Sequence, residues 1–138
     1  MQSALVDAGP LIALFDKDDK HHARTLEVLA RTRATLVTTW PIVTEVWHML
    51  DFSTDAQLTL LEWIYRGGAR LHLQHEADLE RIIALTKRYR DRPMDLADAS
   101  LVLASEQLGL IQIISIDQDF DIYRSGGKKR FENLFHTS

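Results

Sequence analysis

Apolar positions along this 138-residue chain alternate between short continuous runs and helical spacing, and each change of period marks an expected element. Residues 3–6 carry Ala4-Leu5-Val6 and read as a short buried strand. Gly9-Pro10 then turns the chain into a short helix over residues 11–15, with proline near its first turn. Between His21 and Thr32, the apolar residues Ala23, Leu26, Val28, Leu29 and Ala30 recur at roughly helical spacing. A second strand is expected at residues 35–38, centred on Leu36-Val37. Thr39 has the chemistry of an N-cap, with Pro41 close behind, for a helix through Leu50. Ser53 or Thr54 can cap another that runs to Tyr65 before Gly67-Gly68 stops it.

Leu71 and Leu73 alternate with polar neighbours, which predicts a third strand over residues 69–73. Leu79, Ile82, Ile83 and Leu85 predict a helix from about Glu76 to Arg90, and Pro93 ends it and launches the next. Alanines and leucines from Met94 through Leu108 specify a largely buried helix with Gly109 as its stop. The continuous apolar run over residues 111–116 has the character of an inner parallel strand, and residues 131–135 add a short edge strand. Strands separated by helices, with no Asn-Gly hairpin signal between them, imply an α/β fold: a parallel sheet flanked by helices in one domain, residues 1–138. In such sheets the functional crevice lies beyond the carboxyl ends of the strands.

Composition narrows the function classes. With 46% hydrophobic and 26% charged residues, the chain has the profile of an ordinary globular domain. The absence of cysteine excludes disulfides and thiolate-based zinc or redox chemistry. No apolar stretch approaches a membrane span, and the N-terminus lacks the basic start and long apolar run of a signal peptide, so the expected location is the cytoplasm. A formal net charge of −4 argues against nucleic-acid binding by bulk electrostatics. The charge is uneven, however. Arg124 to Arg130 (RSGGKKR) carries four cations and no acid, and Lys87, Arg88, Arg90 and Arg92 gather near the end of a helix. Each cluster reads either as a phosphate-facing patch or as a solvated loop and a helix C-terminus that favours cations.

Candidate chemistry rests on carboxylates at element edges. Asp7 ends the first apolar run, Glu45 lies in a tryptophan-bearing helical pattern, Asp98 opens the Ala/Leu-rich helix, and Asp117 closes the Ile-rich strand. Acids brought to one edge of a sheet repel one another and raise one another's pKa unless a cation neutralises them. All-oxygen ligation favours Mg²⁺ or Mn²⁺ over zinc. Rival phosphotransfer patterns fail: Asp7 is followed by Ala8-Gly9-Pro10-Leu11, without the second acid and threonine of an Asp-x-Asp-x-Thr motif, and no Gly-rich phosphate loop is present.

Leu5-Val6-Asp7 with Leu11-Ile12-Ala13, then Thr44-Glu45-Val46, Asp95-Leu96-Ala97-Asp98-Ala99 and Ser115-Ile116-Asp117-Gln118-Asp119-Phe120 together resemble the ordered signature of PIN-domain ribonucleases, particularly VapC-type toxins of toxin–antitoxin pairs. The resemblance spans nearly the whole chain. It implies a PIN-like α/β/α sandwich with a central parallel sheet of about four to five strands, and a metal-dependent endoribonuclease. Asp7, Glu45, Asp98 and Asp117 match the family's acidic positions. In that reading Asp7, Asp98 and Asp117 ligate Mg²⁺ or Mn²⁺, and Glu45 holds a water at the ion or completes a second cation site. It also implies RNA as substrate, a VapB-like antitoxin whose cation enters the acidic groove, and a homodimer. The alternatives are a PIN-like binding scaffold without chemistry, or an RNA-processing nuclease outside any toxin pair.

Secondary candidates surround this set. Ser115 is expected on the same side of its strand as Asp117, where it could orient a carboxylate or touch phosphate, and Lys128, Lys129 and Arg130 are the expected backbone contacts of the RNA. Asp95 lies three residues before Asp98 and either joins the site or stabilises the helix N-terminus. Asp119 is either a further site acid or a turn cap. The tract Lys17 to His22 looks like a metal-binding stretch but reads more simply as a capped loop, and His48 as a helix-surface residue. Trp40, Trp47 and Trp63 are core or interface anchors unless a helix face joins them to other exposed apolar groups.

Overall fold

The computed structural model describes residues 2–92 and 94–136. Five parallel strands form the sheet: β1 (Ser3–Val6), β2 (Thr35–Thr38), β3 (Arg70–Leu71), β4 (Gln112–Ile114) and β7 (Glu132–Asn133), in the order β3-β2-β1-β4-β7. A separate antiparallel hairpin joins β5 (Arg124–Ser125) to β6 (Lys129–Arg130). Neighbouring residues of a strand point to opposite faces of its sheet. Leu5 with Val6, and Ile113 with Ile114, are all fully buried, so both faces are covered and the layers are α/β/α.

Helices α1 (Ala8–Phe15), α2 (His22–Arg31), α3 (Trp40–Met49), α4 (Thr54–Tyr65), α5 (Leu79–Arg88) and α6 (Leu96–Leu108) supply those covers. The Ala/Leu-rich α6 is buried from Ala99 through Ser105. Its end follows the expected chemistry: Gly109 adopts φ 68°, a left-handed conformation that costs glycine little. No helix among the described residues is long and apolar enough to cross a membrane.

Sheet order fixes the place for chemistry. From β1 the chain steps outward to β2 and β3, then returns past β1 to β4 and on to β7. The carboxyl ends of β1 and β4 therefore flank the switch point where open α/β sheets form their crevice. The Asp7 amide donates to the Ile114 carbonyl at 3.0 Å, which ties the two strand ends together at that crevice.

Several local expectations change. The first helix begins at Ala8, so Gly9 and Pro10, expected as a turn, form its opening turn, because Asp7 at the strand end also serves as the N-cap. Thr39 occupies the N-cap position of α3 without a side-chain cap, since its hydroxyl pairs with the Ser100 hydroxyl at 2.6 Å instead. Ser53 does cap α4, accepting from the Ala56 amide. The third strand shortens to two residues, and a 3₁₀ turn over Glu76–Asp78 precedes α5. Pro93, the expected helix breaker, lies outside the described residues. The RSGGKKR segment is a hairpin rather than a loop: Gly126 and Gly127, at φ 61° and 79°, provide the two left-handed residues its tight turn needs.

Candidate active site

A cleft of about 450 Å³ opens at the switch point, and Asp7, Glu45, Asp95, Asp98, Asp117 and Asp119 line it. Asp7 enters from the end of β1. It is only 6% exposed, and both of its oxygens are engaged: Oδ1 accepts from the Ala8 amide at 2.8 Å, and Oδ2 accepts from the Ser115 hydroxyl at 2.8 Å. Desolvation and the charges of Glu45 and Asp117 outweigh those hydrogen bonds and push its pKa up to about 6.

Asp98 occupies the first turn of α6, with Asp95 as the N-cap ahead of it. Asp95 Oδ1 accepts the Asp98 amide at 2.7 Å, so the capping role is realised while the residue also faces the cleft. The Asp98 carboxylate accepts from the Tyr123 hydroxyl at 3.1 Å. Burial, then the charges of Asp7 and Asp95, raise its pKa to about 8. Glu45 reaches the rim from α3 and is exposed; desolvation and the nearby Asp95 and Asp117 raise its pKa. Asp117 is also exposed, and its Oδ1 accepts the Asp119 amide at 3.0 Å. Asp119 pairs with Arg92 at 3.2 Å, and its pKa is raised by burial first and by Asp117 second.

The four acids singled out from sequence thus share one cleft. Ser115 is fully buried and donates its hydroxyl to Asp7, so it orients a carboxylate and has no surface to offer a phosphate. The tract from Lys17 to His22 contains local turns: the Asp16 and Asp19 side chains accept the Asp18 and His21 amides. His48 is exposed on α3. Two residues that sequence reading passed over support the site from behind. Tyr123, fully buried, packs edge-on against Tyr89 and Phe120 and aims its hydroxyl at Asp98. Asn133 in β7 holds both backbone groups of Ser115, accepting its amide at 3.2 Å and donating to its carbonyl at 2.9 Å. An aromatic and an asparagine far along the chain carry no spacing signal that links them to an acid.

The donor set suits a hard divalent cation. Carboxylate oxygens dominate the cleft, and four of the acids have raised pKa values because their charges are crowded and partly dry. Among the described residues no three acidic side chains are close enough to enclose a single bare ion. What suits Mg²⁺ here is the chemistry of the donors rather than a preformed cage, since that ion commonly takes one or two protein carboxylates and keeps several waters.

The PIN domain family model matches residues 4–125. The chain belongs to the PIN-domain family. Ribonuclease VapC26 of Mycobacterium tuberculosis (strain ATCC 25618 / H37Rv) is 25% identical to this PIN domain over 130 residues, spanning 92% of this chain and 96% of that protein. The crystal structure of Mycobacterium tuberculosis VapC20, described as a sarcin–ricin loop cleaving toxin, superposes with a TM-score of 0.79 at 17% identity, covering 86% of this chain and 93% of that one. At that identity the superposition speaks for the fold, and the five-stranded parallel sheet matches the PIN architecture expected from sequence.

Proposed function

We propose that this PIN-domain protein is a Mg²⁺- or Mn²⁺-dependent endoribonuclease, the toxin of a VapBC-type toxin–antitoxin pair. The observation that carries the reading is the meeting of Asp7, Glu45, Asp98 and Asp117 on one cleft at the switch point of a PIN fold. The curated relative's name, a VapC ribonuclease, supports the same activity. When bound, the divalent ion polarises a phosphoryl oxygen and lowers the pKa of a water, which hydrolysis of a phosphodiester requires.

Each side chain has a distinct task. Asp7 and Asp98, on the floor of the cleft, would hold the ion, and Asp117 would be a further ligand, directly or through water. Ser115 and Tyr123 fix the first two carboxylates in rotation by donating to them. Glu45, exposed at the rim, accepts a hydrogen bond from the attacking water and orients it. Lys128, Lys129 and Arg130, all exposed, contact the RNA backbone. Arg124 donates from Nη1 to the carbonyls of Asp121, Ile122 and Tyr123 at the base of the hairpin.

The toxin is held silent by a small VapB-like antitoxin that offers a cation to the acidic cleft, and it forms a homodimer. Exposed apolar residues Trp40, Met49, Phe52 and Tyr65 on and beside α3 and α4 support a partner-covered face. The decisive experiment is cleavage of a mixed cellular RNA pool by purified protein with Mg²⁺, with Mn²⁺ and with chelator, beside Asp7→Asn. Metal-dependent cutting that the variant lacks is the expected result. Failure of folded, inhibitor-free protein to cut under any metal would transfer the reading to a binding scaffold.

A further inference from the structure

Six carboxylates lining the cleft make it a poor place for a polyanion to land. A divalent ion offsets two of those charges, so attraction for the RNA backbone must come largely from elsewhere on the molecule. The net charge of −4 makes any cationic surface a local exception.

Two basic clusters, separate in sequence, meet in space. Arg88 at the end of α5 donates from Nη2 to the carbonyl of Gly127, 39 positions away, at the tip of the β5–β6 hairpin. The tip is held by two further contacts: Ser125 and Ser105 share a hydroxyl hydrogen bond of 2.6 Å, and the Gly126 amide donates to Glu106 at 2.9 Å. Glu106 is itself neutralised by the two-pronged Arg81 pair, so it adds little negative field to the hairpin. Four residues beyond Arg88, Arg92 pairs with Asp119 on the wall of the cleft. Arg88, Arg92, Lys128, Lys129 and Arg130 are all exposed, against the exposed acids Asp91 and Asp121 in the same segments.

We infer that the end of α5 and the β5–β6 hairpin form one cationic ridge that carries the phosphate backbone of a single-stranded RNA segment from the hairpin tip, past Arg88, to Arg92 at the cleft. The inference rests on the ribonuclease reading only for the purpose of the ridge, not for its charge or its geometry. Arg92 occupies the junction: its partner Asp119 keeps it at the cleft wall, where it meets the phosphate next to the one being cut. The fixed hairpin turn keeps Lys128 beside Arg88 without ordering a loop on binding, which spares the complex that entropy.

Binding of a fluorescently labelled, unstructured RNA oligonucleotide, followed by anisotropy as salt is varied, tests the ridge. The full-length chain carries Asp7→Asn to prevent cleavage. Each phosphate neutralised on a single strand contributes about 0.7 to the slope of log affinity against log salt. Adding Arg88→Gln, Lys128→Gln and Lys129→Gln together is expected to flatten the slope by about 2. Lys128→Gln with Lys129→Gln alone leaves the Arg88 bridge to Gly127 in place and is expected to flatten it by about 1.4. Lys17→Gln with Lys20→Gln, exposed cations of the α1–α2 turn, is expected to leave it unchanged. An unchanged slope in both ridge variants, or equal flattening by the control pair, overturns the ridge. Cleavage by the wild-type protein is scored separately: cutting with an unflattened slope removes the ridge alone, whereas flattening in a protein that cuts under no metal keeps the ridge and removes the ribonuclease reading.

Discussion

Asp7 and Asp98 form the floor of the cleft, Glu45 and Asp117 its rim, and the two pairs are held by different physics. Each floor acid takes a hydrogen bond from a fully buried hydroxyl, Ser115 or Tyr123, and burial leads the causes that raise its pKa. The rim acids are exposed, and Asp117 is steadied by a neighbouring backbone amide. Fixed, partly dry carboxylates set where a cation sits, while solvated ones can follow substrate and water. The floor is therefore costly in the absence of a cation.

Changing the floor has the largest expected effect. Asp7→Asn should lower cleavage by about a thousandfold or more, the loss of roughly 4 kcal/mol of transition-state stabilisation. The same substitution should raise the melting temperature of metal-free protein at pH 8, because it removes a carboxylate that burial penalises. Calorimetry alongside the cleavage assay checks both, and a variant that loses stability together with activity would contradict the account of the floor.

Next come the hydroxyls. Ser115→Ala and Tyr123→Phe should each weaken Mn²⁺ binding by about 10- to 100-fold, the usual range for a group that orients a ligand. Tyr123→Phe retains the ring that packs on Tyr89 and Phe120, so unfolding should shift by only about 1 kcal/mol. Mn²⁺ titration of both variants, with Asp98→Asn as the reference for complete loss of that ligand, separates orientation from packing.

Acid–base linkage gives a signed test of the same contrast. Folded pKa values raised to about 6 for Asp7 and about 8 for Asp98, from the ordinary aspartate value of 3.8, mean that the folded state binds more protons than the unfolded chain between these limits. Metal-free stability should therefore be greatest near pH 4 and fall as pH rises towards 8, by about 3 kcal/mol from Asp7 alone. Saturating Mn²⁺ should reverse the slope, since it favours the ionised acids. Denaturant melts from pH 4 to 8, with and without Mn²⁺, measure it. The smallest effect belongs to the cleft wall: Asp119→Asn, which loosens Arg92, should change cleavage by no more than about tenfold.

Asp7, Asp98 and Asp117 could be read in the sequence because each ends or begins an apolar burst, and the parallel sheet followed from strands alternating with helices; the strand order came only with the structure. The contacts that hold the acids could be read only in part. Strand alternation marked Ser115 as able to orient a carboxylate, but placed it beside Asp117 rather than Asp7, which it touches across 108 positions; no local period links Tyr123 to Asp98, 25 positions away. Thr39 shows the converse failure: its residue type predicts a cap, but the hydroxyl of Ser100 lies within reach and tertiary pairing prevails. Gly126-Gly127 does carry a hairpin signal in its tolerance of positive φ, masked by the surrounding lysines and arginines that make the segment look like loop.

Helices α1 and α6 both begin at the cleft, one directly behind Asp7 and the other with Asp98 in its first turn. Helix starts bear partial positive charge and favour anions, while the acids set between them favour cations. The two fields do not simply cancel, because they issue from different atoms. On the proposed reading such a pocket would be a receptor for a salt rather than for either of its ions: cation and phosphate would enter as a nearly neutral couple, each lowering the cost of admitting the other.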